Sequence, residues 1–245
     1  MVKKKKHVKG ELIFGIHPLL ECIKAKKRKI ISLYTTKPEP KQWALVAKLL
    51  PSYPFAIQYV SRDVLSKMAG TTDHQGIVAW VQSFVFRKKP FDISKQTYLI
   101  LLDSIQDPRN VGAILRSAYC TGVHGVIMTT LNSAPLNAIA IKSSAGLAEH
   151  LEIQLVKNAQ EGLVVLKEQG YTNYLAMLHG ANVEKVTFNL PLCLVIGNEA
   201  KGIAPFLKQY GTAVTLAQRV TDTSYNASVA AGILMYMVGT QQKFI

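Results

Sequence analysis

The apolar run Tyr98–Leu102, closed by Asp103 and followed by a polar stretch to Asn110, constrains the fold more than any other segment. Five apolar residues bounded by a carboxylate read as a buried strand. Pro108 pushes Asp107 toward extended or turn geometry. Val111, Ile114, Leu115 and Ala118 then recur at i, i+3, i+4 and i+7, the apolar face of a helix. Asn110 is expected to cap that helix, its side-chain oxygen satisfying an orphan amide of the first turn. Arg116 falls off the apolar stripe. Strand, polar loop and helix form half of an α/β unit, and ligands in such folds collect at the carboxyl ends of strands. A structural crossover with a well-capped helix accounts for the same residues equally well.

The pattern repeats along the chain. Ahead of this stretch, strands are expected at Leu12–Phe14, Ile30–Thr35, Ala56–Val60 and Gly76–Val81. Helices are expected from Pro18, over Trp43–Leu50, and after Ser61 as far as Gly70, the last two residues acting as cap and terminator. Beyond it come strands at Gly125–Thr129, Glu152–Val156, Tyr174–Met177, Leu190–Ile196 and Ala213–Leu216. Helices over Pro135–Ala145 and Asn158–Gln169 separate them, and a nearly all-apolar helix, Ala227–Met237, must be buried inside its domain or against another subunit. Residues 84–97 carry Arg87-Lys88-Lys89-Pro90 without periodicity and read as a linker. The chain thus divides into a basic tail (1–10), a compact α/β domain (11–83), the linker (84–97) and a larger α/β domain (98–245).

Charge follows that division. Of the 245 residues, 1–90 hold 18 Lys and Arg against 5 Asp and Glu, a net of +13, whereas 91–245 hold 11 against 10. A strongly basic front end on a nearly neutral body points to a polyanion, and the recurrence of charge beyond the lysine tail favours nucleic acid over a solvated surface. The three cysteines, Cys22, Cys120 and Cys193, are odd in number and widely spaced. They read as small buried hydrophobes in a reducing cytosol, not as a disulfide framework or a zinc site. Glu11, His17 and Glu21 interrupt any signal-peptide core, and Ala227–Gly239 is far shorter than a membrane span, so a cytoplasmic protein is expected, with no membrane partner.

Three polar clusters each follow an apolar strand: Asp103–Arg116, Gly197–Gly202 and Arg219–Asn226. Together they offer an arginine, Arg116, a carboxylate, Glu199, two amides, Asn110 and Asn226, and the hydroxyl of Ser224. No histidine and no carboxylate pair at acid/base spacing is among them, so the set reads as a hydrogen-bonding and electrostatic site. Gly197–Gly202 has the glycine spacing of a phosphate loop, but Ile203-Ala204 replaces the required Lys-Ser/Thr. The six histidines show no metal-ligand spacing, and no metal is expected.

At these clusters the chain resembles the SpoU/TrmH family of RNA 2′-O-ribose methyltransferases, within the SPOUT superfamily. The resemblance rests on D-P-R-N-V-G-A-I-L-R-S (Asp107–Ser117), V-I-G-N-E-A-K-G-I (Val195–Ile203) and S-Y-N-A-S-V-A-A-G-I (Ser224–Ile233), in family order. Gly15-Ile16-His17 and His74-Gln75-Gly76 resemble the family's substrate-binding domain, which is similar to ribosomal protein L30e. The resemblance implies an S-adenosylmethionine-dependent enzyme, a C-terminal trefoil-knotted α/β domain, and a homodimer formed through that domain. It implies catalytic roles for Asn110, Arg116, Glu199, Ser224 and Asn226, cofactor contacts from Ile196, Gly197, Leu216 and Tyr225, and RNA contacts from His74 and Arg109. The family's usual proline at Ala217, glycine at Val220, leucine at Tyr225 and valine at Ala227 are replaced, while the polar groups are kept.

The implied reaction is methyl transfer to a ribose 2′-hydroxyl, with guanosine of 23S ribosomal RNA as substrate, a transfer RNA ribose as runner-up, and a non-catalytic RNA-binding or assembly protein, or a merely structural protein, as rivals. The family's arginine has been assigned a proton-accepting role. A guanidinium stays protonated in proteins, so Arg116 suits stabilisation of developing negative charge better.

Overall fold

The structure, a computed structural model, describes residues 10–220 and 224–245. The lysine tail expected at the N-terminus therefore lies outside the described residues except for Gly10, which opens the first strand. Two sheets organise the chain. The first has the order β1-β4-β2-β3, from β1 (Gly10–Phe14), β2 (Ile30–Thr35), β3 (Ala56–Tyr59) and β4 (Ile77–Gln82). The β1/β4 and β4/β2 pairs are antiparallel and β2/β3 parallel. On one face lie α1 (Ile16–Ala25) and α2 (Trp43–Leu49), which with β2 and β4 enclose Leu19, Leu20, Leu33, Val46 and Ala79. On the other face, α3 (Arg62–Ala69) seats Leu65 against Phe14 and Val78.

The second sheet is parallel throughout, in the order β10-β8-β9-β5-β6-β7. Its strands are β5 (Tyr98–Leu102), β6 (Gly125–Thr129), β7 (Ile153–Val156), β8 (Thr172–Asn182), β9 (Leu192–Ile196) and β10 (Thr212–Thr215). Every residue of β5, β6 and β9 is buried, as expected where helices cover both faces of parallel strands. The helices are α4 (Pro108–Cys120), α5 (Ala138–Ser143), α6 (Ala159–Glu168) and α7 (Ala227–Gln241), and short 3₁₀ turns at Leu147–His150, Val183–Lys185 and Pro205–Tyr210 complete the chain. Among the described residues no helix is long and apolar enough to cross a membrane.

Several expectations need correction. Asp107, not Asn110, caps α4: its carboxylate accepts the Arg109 N–H at 2.8 Å, and Asn110 lies inside the first turn. Pro108 fills N1, where its missing N–H costs nothing. The helix expected from Pro135 begins at Ala138, because Asn137 takes the cap by accepting the Ile139 and Ala140 amides. Strand β8 runs five residues past Met177, held at its far end by β10. Cys22 and Cys193 are buried, but Cys120, off the apolar stripe of α4, is exposed. Helix α7 buries Ala231, Leu234, Met235 and Val238 and leaves Val229, Ile233 and Tyr236 exposed, so its apolar surface is only half covered in one chain.

The two sheets are fastened by charge. The Arg28 guanidinium donates to both carboxylate oxygens of Glu149 and, at 2.9 Å, to Glu11. Lys27 donates to the His150 and Leu151 carbonyls, and Lys142 to Gln75 at 2.8 Å. The segment between the sheets is docked as well. Arg87 pairs with Glu152 at 2.6 Å, and Phe91 is buried among Leu99, Ile127 and Leu163.

Candidate active site

The carboxyl ends of β5 and β9 are neighbours in the parallel sheet, which brings the loops after them together. Gly197 opens the loop after β9, where a Cβ would run into Gly202 and Ile203, so the chain can fold back on itself only with glycine there. Asn198 clasps this loop: its side-chain oxygen accepts the Ala200 and Lys201 amides at 2.9 and 3.0 Å, and its amide donates to the Ser104 carbonyl at 2.7 Å. That clasp aims Glu199 at the first turn of α4. The Asn110 amide donates to Glu199 Oε1 at 2.9 Å.

The third loop joins through Asn226. Its oxygen caps α7 by accepting the Ser228 and Val229 amides, and its amide donates to Asn110 Oδ1 at 3.3 Å. A continuous chain, Asn226 to Asn110 to Glu199, therefore ties the three polar loops. Beside it, Asp103 is half-buried, and that burial raises its carboxyl above the ordinary range, against the Ser104 hydroxyl bond that lowers it.

Glu199 lies at the edge of a cavity of about 360 Å³ between the β9 loop, the ends of β8 and β10, and the start of α7. Ile196, Val214, Leu216, Ala227 and Leu234 make its apolar lining. Lys201, Lys208, His179, Gln218 and Ser224 bring polar and cationic groups, and Glu199 is its only carboxylate among the described residues. The Tyr225 hydroxyl donates to the Ala217 carbonyl at 3.3 Å beside the cavity.

All four expected cofactor contacts, Ile196, Gly197, Leu216 and Tyr225, line this cavity, as do Glu199 and Ser224. Asn110 and Asn226 stand just outside and reach it through Glu199. Arg116 does not join them: it is exposed on α4 and makes no hydrogen bond or ion pair among the described residues. Arg109 is exposed at the start of the same helix. His74 is 1% exposed and both ring nitrogens are engaged. Nδ1 accepts the Gly76 N–H at 3.0 Å and Nε2 meets Ser66 Oγ at 3.1 Å, so the ring braces a turn. Sequence reasoning missed Asn198 as the clasp, although it sits within the G-N-E motif. It also missed Lys208 and His179, which carry no motif.

Set beside known proteins, residues 97–236 match the SpoU rRNA Methylase family and residues 12–85 match the RNA 2′-O ribose methyltransferase substrate binding family. The Bacillus subtilis protein named putative TrmH family tRNA/rRNA methyltransferase YacO is 33% identical, covering 93% of this chain and 94% of its own. The 23S rRNA (guanosine-2′-O-)-methyltransferase RlmB of Shewanella oneidensis is 31% identical over 96% of this chain and 99% of its own. In fold, the chain superposes on the SpoU methyltransferase AviRb of Streptomyces viridochromogenes, solved with AdoMet, at TM-score 0.81 and 21% identity, covering 96% of this chain and 91% of that one. A crystal structure of an RNA 2′-O ribose methyltransferase gives TM-score 0.84 at 20% identity, covering 97% and 90%. The matched residues 97–236 span all three polar loops and the cavity between them, and the chain belongs to the SpoU rRNA methylase family.

Proposed function

We propose that this chain transfers a methyl group from S-adenosylmethionine to a ribose 2′-hydroxyl of structured RNA, with a guanosine of 23S ribosomal RNA as the substrate. The observation that carries the reading is the convergence of three polar strand-end loops on one cavity, tied by the Asn226–Asn110–Glu199 chain. The cavity suits the cofactor chemically. Its apolar lining fits a purine face, Lys201 and Lys208 fit an amino-acid carboxylate, and its volume lies in the range of roughly 300–1,000 Å³ usual for small-molecule sites.

When bound, S-adenosylmethionine supplies an electrophilic methyl carbon on a sulfonium. Ile196, Gly197, Leu216 and Tyr225 hold it, and Glu199, itself fixed by Asn110, keeps the loop shape. Asn110 and Asn226 would orient the ribose hydroxyl and hold its oxygen in line, its proton leaving to water. Arg116, always cationic, stabilises the negative charge that develops on that oxygen. Much of the rate comes from alignment of nucleophile and methyl.

The four-stranded unit, residues 11–83, serves as an L30e-like RNA-binding domain, joined by 84–97 to the catalytic domain, 98–245. Arg109 contacts RNA from the first turn of α4. A trefoil-knotted path in the larger domain belongs to the same reading. The exposed apolar residues Val229, Ile233 and Tyr236 support a homodimer through α7. A cytoplasmic place follows from the substrate.

The test offers the protein labelled S-adenosylmethionine with 23S ribosomal RNA and with transfer RNA, each lacking ribose methylation. Label in a 23S guanosine that survives alkaline hydrolysis is the expected result. Label confined to transfer RNA would favour the second reading, to which the tRNA/rRNA naming of the Bacillus subtilis relative lends support.

A further inference from the structure

The cavity and its three loops leave two sequence motifs unused, Gly15-Ile16-His17 and His74-Gln75-Gly76, and the structure brings both against α5. Gln75 sits in left-handed backbone at φ 55°, Gly76 follows at φ 78°, and the His74 ring holds that turn through the Gly76 N–H. The turn presents Gln75 Oε1 to two donors. The Ile16 N–H reaches it at 3.2 Å from the start of α1, and the Lys142 ammonium at 2.8 Å from α5. Gly15 leaves room for this meeting, since a Cβ there would lie 2.6 Å from Lys142 Nζ. One amide oxygen thus joins the first turn of α1 to a cation carried by the helices of the second sheet.

The neighbours of Lys142 on α5 press on the helix that carries the site. A Cβ on Gly112 would run into the Ala140 carbonyl oxygen and lie 2.5 Å from Ser143 Cβ. No side chain separates α4 from α5 there, and a close-packed contact transmits displacement, so α4 follows any shift of α5. Gly112 stands two residues beyond Asn110, whose bonds to Glu199 and Asn226 depend on how α4 is turned. At the start of α5, Ala138 packs against Phe14, Leu65 and Val78 of the four-stranded unit. Burial pulls the Lys142 ammonium below the ordinary lysine range, against Asp73, which raises it. A half-buried cation needs an acceptor to stay in place, and Gln75 supplies one.

We infer that Lys142 is a positioning residue for methyl transfer: held by Gln75, it fixes α5, which through Gly112 sets α4 and the Asn110 amide. The inference rests on the reading of this chain as an RNA methyltransferase and gives the four-stranded unit a second task, holding the catalytic helix in place. A misplacement of about 1 Å can cost about 100-fold in rate, and with the Ala138 packing kept the loss should be smaller, about tenfold.

Single-turnover transfer in the full chain is measured at saturating S-adenosylmethionine and saturating RNA, using whichever of unmethylated 23S and transfer RNA accepts label. Wild type is compared with Lys142→Met, Lys142→Arg, Gln75→Ala and the Gln75→Ala/Lys142→Met pair, with both affinities and urea midpoints measured alongside. Lys142→Met keeps the aliphatic stem and loses the ammonium. Its rate should fall about tenfold while both affinities stay within about twofold and the urea midpoint is unchanged. Lys142→Arg should recover most of the rate, and the double variant should be no slower than Lys142→Met, because the two residues act as one unit. A wild-type rate in Lys142→Met, or losses that multiply in the double variant, overturn this inference alone. Weaker RNA binding with an unchanged saturated rate makes Lys142 an RNA contact and also overturns it. So does a rate loss that tracks a lowered urea midpoint or that Lys142→Arg fails to recover. A wild-type protein that binds RNA and cofactor without transferring methyl overturns the inference together with the functional reading.

Discussion

Replacing Arg28 by leucine tests how the two sheets are held. The side chains of Arg28 and Glu149 are each 1% exposed, and two guanidinium nitrogens donate to the carboxylate. Burial raises the Glu149 carboxyl, and Arg28 pulls against that rise. Removing one partner of a buried pair costs about 3–5 kcal/mol, because the other is left charged without compensation. The bond to Glu11, whose side chain is 40% exposed, adds no more than about 1 kcal/mol.

Glu149 can limit the cost by taking up a proton, which makes the loss depend on pH. Without Arg28 its folded pKa rises further above the ordinary 4.5, so the folded state binds the proton more tightly than the unfolded one. The destabilisation is then least below 4.5, grows as pH rises through that value, and levels off once pH passes the raised folded value. Urea unfolding at about pH 5 and pH 8 should show a deficit several-fold larger at the higher pH. Arg28→Leu with Glu149→Leu removes both charges and should be more stable than Arg28→Leu alone. A single-variant cost below about 1 kcal/mol at the higher pH, or a double variant equal to the sum of the two singles, refutes the reasoning.

Gly112→Ala places a Cβ against the Ala140 carbonyl oxygen and 2.5 Å from Ser143 Cβ. Overpacking of about 1–3 kcal/mol should outweigh a helix-propensity gain of about 1 kcal/mol, read as a lower urea midpoint. Asn110→Ala removes the donor to Glu199 and the acceptor for Asn226. Methyl transfer should fall about tenfold or more, while calorimetry finds S-adenosylmethionine affinity changed only about twofold. Burial, then Arg62 and Lys142, holds His74 below its ordinary 6.5, so the unfolded state takes the proton first. Stability should fall as pH drops from 6.5 toward the lower folded value, and His74→Gln should flatten that slope in urea midpoints measured across the window.

The elements legible in the sequence are those whose boundaries are set locally. Ser61 and Gly70 frame α3 with a side-chain cap and a left-handed terminator, and Asn158 caps α6 by accepting the Glu161 amide. Strand β5 is an unbroken apolar run and β6 has an apolar centre, Val126–Met128, between Gly125 and Thr129, and both match residue for residue. What failed was competition between neighbouring caps. Asp107 and Asn110 both suit a cap, and the extended backbone before Pro108 decides for Asp107.

The far half of β8 was hidden because residues 178–181 are exposed there and owe their strand geometry to pairing with β10. The site was legible as three clusters because polar residues after apolar strands have no packing role to explain them. Their tie through Asn110, Glu199 and Asn226 spans up to 116 residues of sequence, and the Arg28–Glu149 pair 121, so neither has a local signal.

Single-turnover methyl transfer to RNA, with equilibrium binding of S-adenosylmethionine measured alongside, tests the central claim most directly when wild type is compared with Arg116→Ala. Arg116 lies off the cavity, so the variant should bind the cofactor as wild type does. Its transfer rate should drop about 100-fold or more, the scale of losing one electrostatic stabiliser of a developing oxyanion. A wild-type protein that binds both RNA and cofactor yet transfers no methyl, or a variant that transfers at the wild-type rate, would contradict the account.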